Sequence, residues 1–216
     1  MGVVLVATIG FTVDFVMRRV ADLGRGRVSR VIALGIHVGD EAAWRRVEQA
    51  FKLLSGYLSG LGIDSELARV RLGPGMVRGI RDALARASSL AGPDGTVEAY
   101  LTGGPRILVA ATIIAAMTST PEVRDRLRIV VYGEGFEGAL NLQVGPIVEY
   151  LKLREDEARI VGEIARLGEA TAAQLLGVLG VKRSTLYKKL AELEARGLLR
   201  RDGRGWRVHE TLEAIL

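Results

Sequence analysis

The chain has 216 residues, of which 49% are apolar and 25% charged, a composition typical of a globular protein with enough interior for one or two hydrophobic cores. It has no cysteine and only two histidines, His37 and His209, far apart. A disulfide framework, a thiol nucleophile and a histidine-based metal site are therefore excluded. No apolar run is long enough to span a bilayer, and the opening residues resemble a strand rather than a signal peptide, so we expect a cytoplasmic protein that contacts no membrane.

The first two thirds of the chain predict strands that alternate with helices. Continuous apolar runs are typical of strands covered on both faces, and a helical pattern follows each of the first four. Asp40 can cap the second helix, whose Trp44 and Leu54 share one apolar face. The strands are predicted at residues 3–8, 30–37, 64–72, 97–101 and 128–132, the last ending in the glycine-rich loop 133–135, with a hairpin of 140–144 and 147–151 at the sheet edge. This alternation predicts an α/β fold with a Rossmann-like, mostly parallel sheet.

Two loops follow the first and fourth strands, which are neighbours in the common 3-2-1-4-5-6 strand order. They are Ile9-Gly10-Phe11-Thr12 and Thr102-Gly103-Gly104-Pro105-Arg106. In the second loop, glycines permit close backbone approach and Pro105 suits the first helical position. The free N–H groups that follow, together with Thr102 and Arg106, can hold a phosphate or another anion. Because such sheets bind ligands at the switch in winding direction, we predict a ligand crevice between these loops, the alternative being a turn that is only a tight connection.

The first turn does not contain the three glycines of a dinucleotide-binding loop, which argues against a nicotinamide dehydrogenase. The helix after the second loop, predicted at 107–117, is apolar around nearly its whole circumference, so two surfaces should cover it. We expect one to be the sheet and the other a second copy of the chain, which predicts a homodimer. A covering hairpin from the same chain is the alternative.

After Leu151 the chain becomes strongly charged, and we place a domain boundary there, with one domain at 1–152 and a second at 153–216. Helices are predicted at 157–167, 172–179 and 183–196, and a β-hairpin is formed by 198–201 and 206–208. Two short helices joined by the tight turn at Gly180 and followed by a hairpin predict a winged helix-turn-helix.

Residues 182–207 carry nine basic and three acidic side chains, a net charge of +6 that exceeds the charge of the whole chain. In the last helix Leu186 and Leu190 face inward, so the polar side chains between them face outward and can enter a DNA major groove. Trp206 is expected to pack beneath the hairpin rather than stack on a base. The residues predicted to contact DNA are Arg183, Ser184, Thr185, Tyr187 and Lys188 on the helix and Arg201 and Arg204 on the hairpin. A helical module for protein contacts only is the alternative.

With a Rossmann-like first domain, the turn from Thr102 to Arg106 and a C-terminal winged helix, the chain resembles transcription regulators of the CRISPR-associated Rossmann fold (CARF) family over essentially its whole length. The resemblance implies a homodimer that binds a cyclic oligoadenylate, commonly the tetraadenylate, across the dimer at the two loops. Pro105 stands where relatives often carry a small polar residue, so Arg106 is expected to carry more of the phosphate contact. The ligand-facing residues that the resemblance implies are Gly10, Phe11, Thr12, Thr102, Gly103, Gly104 and Arg106, beside Pro105.

We therefore expect a ligand-responsive regulator of a CRISPR-Cas system that binds double-stranded DNA at a promoter or CRISPR leader region, with no cofactor, no metal and no catalytic residue. A second hypothesis is enzymatic, because related domains cleave the cyclic ligand with its own ribose 2′-hydroxyl. Thr12, Thr102 and Arg106 could position that reaction, although neither loop holds a histidine as general base, so turnover would be slow. A third hypothesis is a DNA-binding protein indifferent to nucleotides.

Overall fold

The computed structural model describes residues 2–24, 26–133 and 138–216. These residues form two compact units, and the division between them falls after Val144. The bounds of the elements in the first unit are β1 (Val3–Ile9), α1 (Asp14–Leu23), β2 (Val28–His37), α2 (Glu41–Gly60), β3 (Asp64–Arg71), α3 (Met76–Ala91), β4 (Thr96–Tyr100), α4 (Arg106–Met117), α5 (Pro121–Arg124), β5 (Leu127–Tyr132) and β6 (Ala139–Gln143).

The first unit is an α/β domain around a six-stranded sheet with the order β3-β2-β1-β4-β5-β6. Strands β1 to β5 are parallel, and β6 is antiparallel to β5. The Rossmann-like fold predicted from the sequence is confirmed, and β1 and β4 are neighbours as the predicted order requires. Their carboxyl ends, and the loops that follow them, therefore lie side by side.

Burial of the central strands explains their continuous apolar sequences. Leu5, Val31 and Ile32 are inaccessible to solvent, because helices cover both faces of the sheet. On one face, α1 and α2 pack with Trp44 and Leu54 in the core, as the helical period predicts. The predicted cap of α2 is also confirmed, since the Asp40 carboxylate accepts hydrogen bonds from the amides of Ala42 and Ala43.

The predicted edge hairpin is wrong in its second half. Residues 139–143 do form the edge strand β6, but the chain then enters a helix, α6 (Val144–Tyr150), instead of returning as a strand. Pro146 explains the difference, because proline has no N–H group for a strand ladder and fits the first turn of a helix. Of the glycine-rich loop predicted at 133–135, residues 134 and 135 lie outside the described part of the chain.

The second unit combines helices with a small antiparallel sheet. After α6 its elements are α7 (Glu155–Leu167), β7 (Ala170–Thr171), α8 (Ala172–Leu179), α9 (Arg183–Ala195), β8 (Leu199–Asp202), β9 (Gly205–Val208) and α10 (Glu210–Glu213). The sheet order is β7-β9-β8. The unit has its own apolar core, which contains Ile164, Leu186 and Trp206. Gly180 ends α8 in the left-handed region, at a φ of 64°, and turns the chain into α9.

None of the described helices is both long and apolar enough to cross a membrane.

Candidate functional site

The loop after β1 and the loop after β4 are packed against each other. The hydroxyl of Thr8, at the end of β1, donates a hydrogen bond to the carbonyl oxygen of Gly103 across 2.5 Å. Gly104 has a φ of 85°, and a Cβ atom at this position would lie 3.1–3.2 Å from backbone atoms of Thr8 and Ile9. Glycine is therefore required both by the backbone conformation and by the space available.

A crevice of about 410 Å³ opens beside these two loops, toward the start of α2. Five of the predicted ligand residues line it, together with four apolar residues of β2, the loop after it and α2. The complete lining is Gly10, Phe11, Thr12, Ile36, Val38, Ala43, Val47, Gly104 and Pro105. Only Thr12 contributes a side-chain oxygen, so the crevice suits a flat, largely apolar group such as a nucleobase better than a bare phosphate.

The other three predicted ligand residues do not line this crevice. The Thr102 hydroxyl accepts a hydrogen bond from the amide of Tyr132 at 3.0 Å, which ties the loop to β5. Gly103 is held by Thr8. Arg106 is exposed at the first position of α4, and its amide and that of Ile107 make no hydrogen bond to any described residue. These two amides and the guanidinium group offer donors to an anion at the rim of the crevice.

Sequence reasoning missed Arg46, which lies on α2 and approaches the ring of Phe11. The Cζ atom of Arg46 is 5.8 Å from the ring centroid, within the range of a cation–π contact. The Phe11 ring is 61% exposed, so much of its surface remains open to a ligand. No sequence motif connects these two residues, because the contact depends on how α2 docks beside the first loop.

A buried ion pair lies behind the two loops and joins the elements that carry them. Arg19 of α1 donates two hydrogen bonds to the Glu98 carboxylate of β4, at 2.6 and 2.7 Å, and a third to the Tyr132 hydroxyl at 2.9 Å. Glu98 is only 5% exposed. The carboxylate raises the pKa of Arg19, so the guanidinium group stays charged in this environment. Burial also raises the pKa of the neighbouring Tyr100 phenol.

In the second unit, the structure sorts the nine basic residues of 182–207 into two groups. Lys189 pairs with Asp156, Arg196 with Glu149 and Glu157, and Arg207 with Glu169 and Asp202, while Lys188 is 3.9 Å from Glu192. The other five pair with no carboxylate in the described part of the chain, and they are Lys182, Arg183, Arg200, Arg201 and Arg204. These five lie at the start of α9 and on the β8–β9 hairpin, so the uncompensated positive charge belongs to those two places.

All seven residues predicted to contact DNA are exposed. Ser184 and Lys188 lie on the side of α9 opposite the buried Leu186 and Leu190, whereas Tyr187 lies on a flank of the helix, where its ring meets the buried Trp206 ring edge to face. Arg183 pairs with no carboxylate among the described residues. Thr185 lies on the other flank of α9, which lines a separate cavity of about 500 Å³ beside the start of α7. Arg201 is on β8, and Arg204 is in the turn of the hairpin.

A family model described as the Csa3 CRISPR-associated Rossmann-like domain matches residues 3–143. The chain belongs to this family. The match covers the α/β unit, including both crevice loops, and stops before the second unit. Within the described residues of this CRISPR-associated protein, no group of histidine, aspartate and glutamate side chains could hold a metal ion.

Two solved structures show weaker similarity to the whole chain. Protein VC1899 from Vibrio cholerae has a TM-score of 0.44 at 14% identity, and the match covers 99% of this chain and 63% of that one. A type III CRISPR defence DNA nuclease activated by cyclic oligoadenylate has a TM-score of 0.44 at 17% identity, covering 91% of this chain and 30% of that one. The chain thus spans less than two thirds of the length of either protein. No curated protein matches it in sequence.

Proposed function

We propose that this protein is a homodimeric DNA-binding regulator of a CRISPR-Cas system whose first unit binds a cyclic oligoadenylate. One observation carries the proposal: a single chain joins a CRISPR-associated Rossmann-like unit to a second unit in which one helix and one hairpin hold basic side chains without an ion-pair partner among the described residues. The first unit senses the ligand and the second reads DNA. Ligand binding would act by changing the spacing of two DNA-binding units, which must sit about 34–36 Å apart for adjacent half-sites.

The crevice and the start of α4 supply complementary parts of a nucleotide site. The apolar lining around Phe11 takes a base, and Arg46 supports the ring from α2. Arg106 and the free amides of the first turn of α4 take a phosphate. We propose binding without rapid turnover, because none of the residues described as lining the crevice carries an imidazole or a carboxylate.

The second unit is proposed to be a winged helix-turn-helix. In this reading α8 and α9 are the two helices of the motif, α9 enters the major groove, and the β8–β9 hairpin is the wing. Arg201 and Arg204 of the wing then meet the backbone or the minor groove, where cations are favoured. Lys189 and Arg196 are proposed to hold α9 in place rather than to bind DNA, because Asp156 and Glu149 pair with them.

The homodimer is proposed to form through α4. One side of this helix is buried and includes Leu108 and Ala115, and it packs along α3. The other side presents Ile107, Ala110 and Ile114 at a spacing of three and four residues, with Ile107 51% and Ile114 52% exposed. A stripe of this kind is stabilised when a second copy covers it, and the two-fold axis would then bring the two crevices together.

The sensing function is tested by calorimetric titration of the protein with cyclic tetraadenylate. We expect one ligand per dimer, with affinity lost in Arg106→Ala and reduced in Arg46→Ala. Arg45→Ala is the matched control, because this exposed arginine neighbours Arg46 on α2 but, unlike Arg46, makes no cation–π contact with Phe11 among the described residues. Absence of binding to the wild-type protein would contradict the sensing function.

The same mixtures, incubated with excess protein and analysed for linear products, distinguish binding from ring cleavage. Footprinting on DNA upstream of CRISPR-associated genes, with and without ligand, tests the regulatory function. We expect protection that changes when the ligand is added. Protection that is indifferent to the ligand would favour a plain DNA-binding protein, and no protection in either condition would refute the regulator.

A further inference from the structure

Two arginines and two aromatic rings form a continuous row across the second unit. The Cζ atom of Arg183 lies 5.7 Å from the ring centroid of Tyr187, and that of Arg201 lies 5.0 Å from the ring centroid of Trp206. The two rings meet edge to face, with centroids 6.2 Å apart and an angle of 72°. The row, Arg183–Tyr187–Trp206–Arg201, therefore links the first turn of α9 to the β8–β9 hairpin through side chains.

Trp206 is the fixed member of this row. It is 3% exposed and belongs to the apolar core of the second unit, which confirms the prediction that it packs beneath the hairpin. Its indole Nε1 makes no hydrogen bond in the described part of the chain, so packing and the contacts with the two neighbouring side chains hold the ring. Arg201 faces Trp206 directly across the strand pair.

The two arginines at the ends of the row both belong to the five basic residues that no carboxylate pairs with in the described part of the chain. Neither Arg183 nor Arg201 forms an ion pair among the described residues, whereas Arg207 in the same hairpin pairs with Glu169 and Asp202. An aromatic face restricts a guanidinium group without removing its charge or occupying all of its donors. The ring contacts thus order two long side chains and leave both available to an anionic partner.

We propose that Tyr187 is a positioning residue for DNA binding, acting through its ring as a platform that holds Arg183 ready for a phosphate. The proposal rests on the DNA-binding function proposed above and assigns Tyr187 a different role from the direct DNA contact expected from the sequence. Ordering a long side chain at an interface costs affinity, and a side chain that is already ordered avoids that cost. The Tyr187 hydroxyl has no part in this role.

A double-mutant cycle on DNA affinity separates a platform from a direct contact. The probe is a fluorescein-labelled, mixed-sequence DNA duplex at low salt, read by anisotropy, because phosphate contacts do not depend on sequence. Tyr187→Leu should weaken binding about two- to tenfold, and Tyr187→Phe, which keeps the ring, should bind like the wild type. In an Arg183→Ala background, Tyr187→Leu should have no further effect.

The salt dependence of binding gives an independent readout. Arg183→Ala removes a charge and should make the negative slope of log K against log salt shallower by about 0.9. Tyr187→Leu leaves the charge in place, so its slope should equal that of the wild type even though its affinity is lower. Arg166→Ala is the charge control, since this exposed arginine of α7 pairs with Glu163 and lies outside the row.

Three results would overturn the platform. Tyr187→Phe could bind as weakly as Tyr187→Leu, which would assign the effect to the hydroxyl. Tyr187→Leu could weaken binding equally in the Arg183→Ala background, which would make the ring a direct or structural contact. Tyr187→Leu could also bind as tightly as the wild type.

If the wild-type protein itself fails to bind the duplex, the proposed DNA-binding function fails first and the platform fails with it. Thermal melts check that each variant is folded. We expect the Tyr187 variants to fold, because Tyr187 is 40% exposed and lies outside the apolar core.

Discussion

Replacing Glu98 by glutamine tests how the first unit holds its two crevice loops. The substitution keeps the shape of the side chain and removes its charge. Arg19 then remains charged in a place where only 13% of its side chain is exposed, without the carboxylate that neutralises it. The loops depend on this pair indirectly, because α1 follows one loop and β4 precedes the other.

The loss of stability expected for Glu98→Gln follows from the burial of the Arg19–Glu98 ion pair. Breaking a buried ion pair by neutralising one partner destabilises a protein by about 3–5 kcal/mol, because an uncompensated charge stays in the interior. For a chain of this size, about 1 kcal/mol corresponds to about 2–4 °C in melting temperature, so we expect a fall of roughly 6–20 °C. The exposed pair of Glu41 and Arg69 is the control, and Glu41→Gln should leave the melting temperature almost unchanged, because water screens an exposed ion pair.

Differential scanning calorimetry of the full chain measures the shift, with the ligand titration repeated on each folded variant. A double variant, Arg19→Met with Glu98→Leu, should recover most of the lost stability, because an apolar pair of similar volume often replaces a buried ion pair at little cost. A fall of less than about 1 kcal/mol in Glu98→Gln, or no recovery in the double variant, would refute the reasoning.

Three further predictions concern other parts of the chain. Gly104→Ala should destabilise the first unit by about 2 kcal/mol and weaken ligand binding, since the new Cβ meets backbone atoms at 3.1–3.2 Å and φ is positive. Calorimetry measures both effects, and Gly79→Ala is the control because a Cβ at this helical position meets open space. Ile114→Glu should shift the protein toward monomer in sedimentation velocity, and an unchanged dimer would exclude α4 as the interface. The Arg154 amide lowers the pKa of the buried Glu157 carboxyl below its ordinary value of 4.5. This stabilisation is therefore full above that value and is lost as the pH falls through the lowered pKa, so the stability difference between wild type and Glu157→Gln should shrink in acid melts.

The sequence by itself determined the order of the five parallel strands and of the helices that follow the first four of them, but not the short helix α5. The central strands are apolar on both faces, so a parallel sheet with helices on both sides is the arrangement that buries them. The start of α2 is predictable because Asp40 caps it through a local hydrogen bond. The segment at the edge of the sheet, after β6, was harder to predict. Residues 147–151 have an apolar pattern that suits a strand or a helix, and Pro146 decides between them through the N–H group that it lacks.

Only the tertiary structure decided which residues form the candidate sites. Side chains from distant parts of the chain, such as Arg46 beside Phe11, meet because helices dock on a sheet, and no local pattern encodes that docking. The same holds for charge: the sequence gives nine basic residues in one segment, but whether each is free depends on partners such as Glu149 and Glu169 many residues away. Composition therefore predicted a basic unit, and folding determined which of its arginines remain available to a partner.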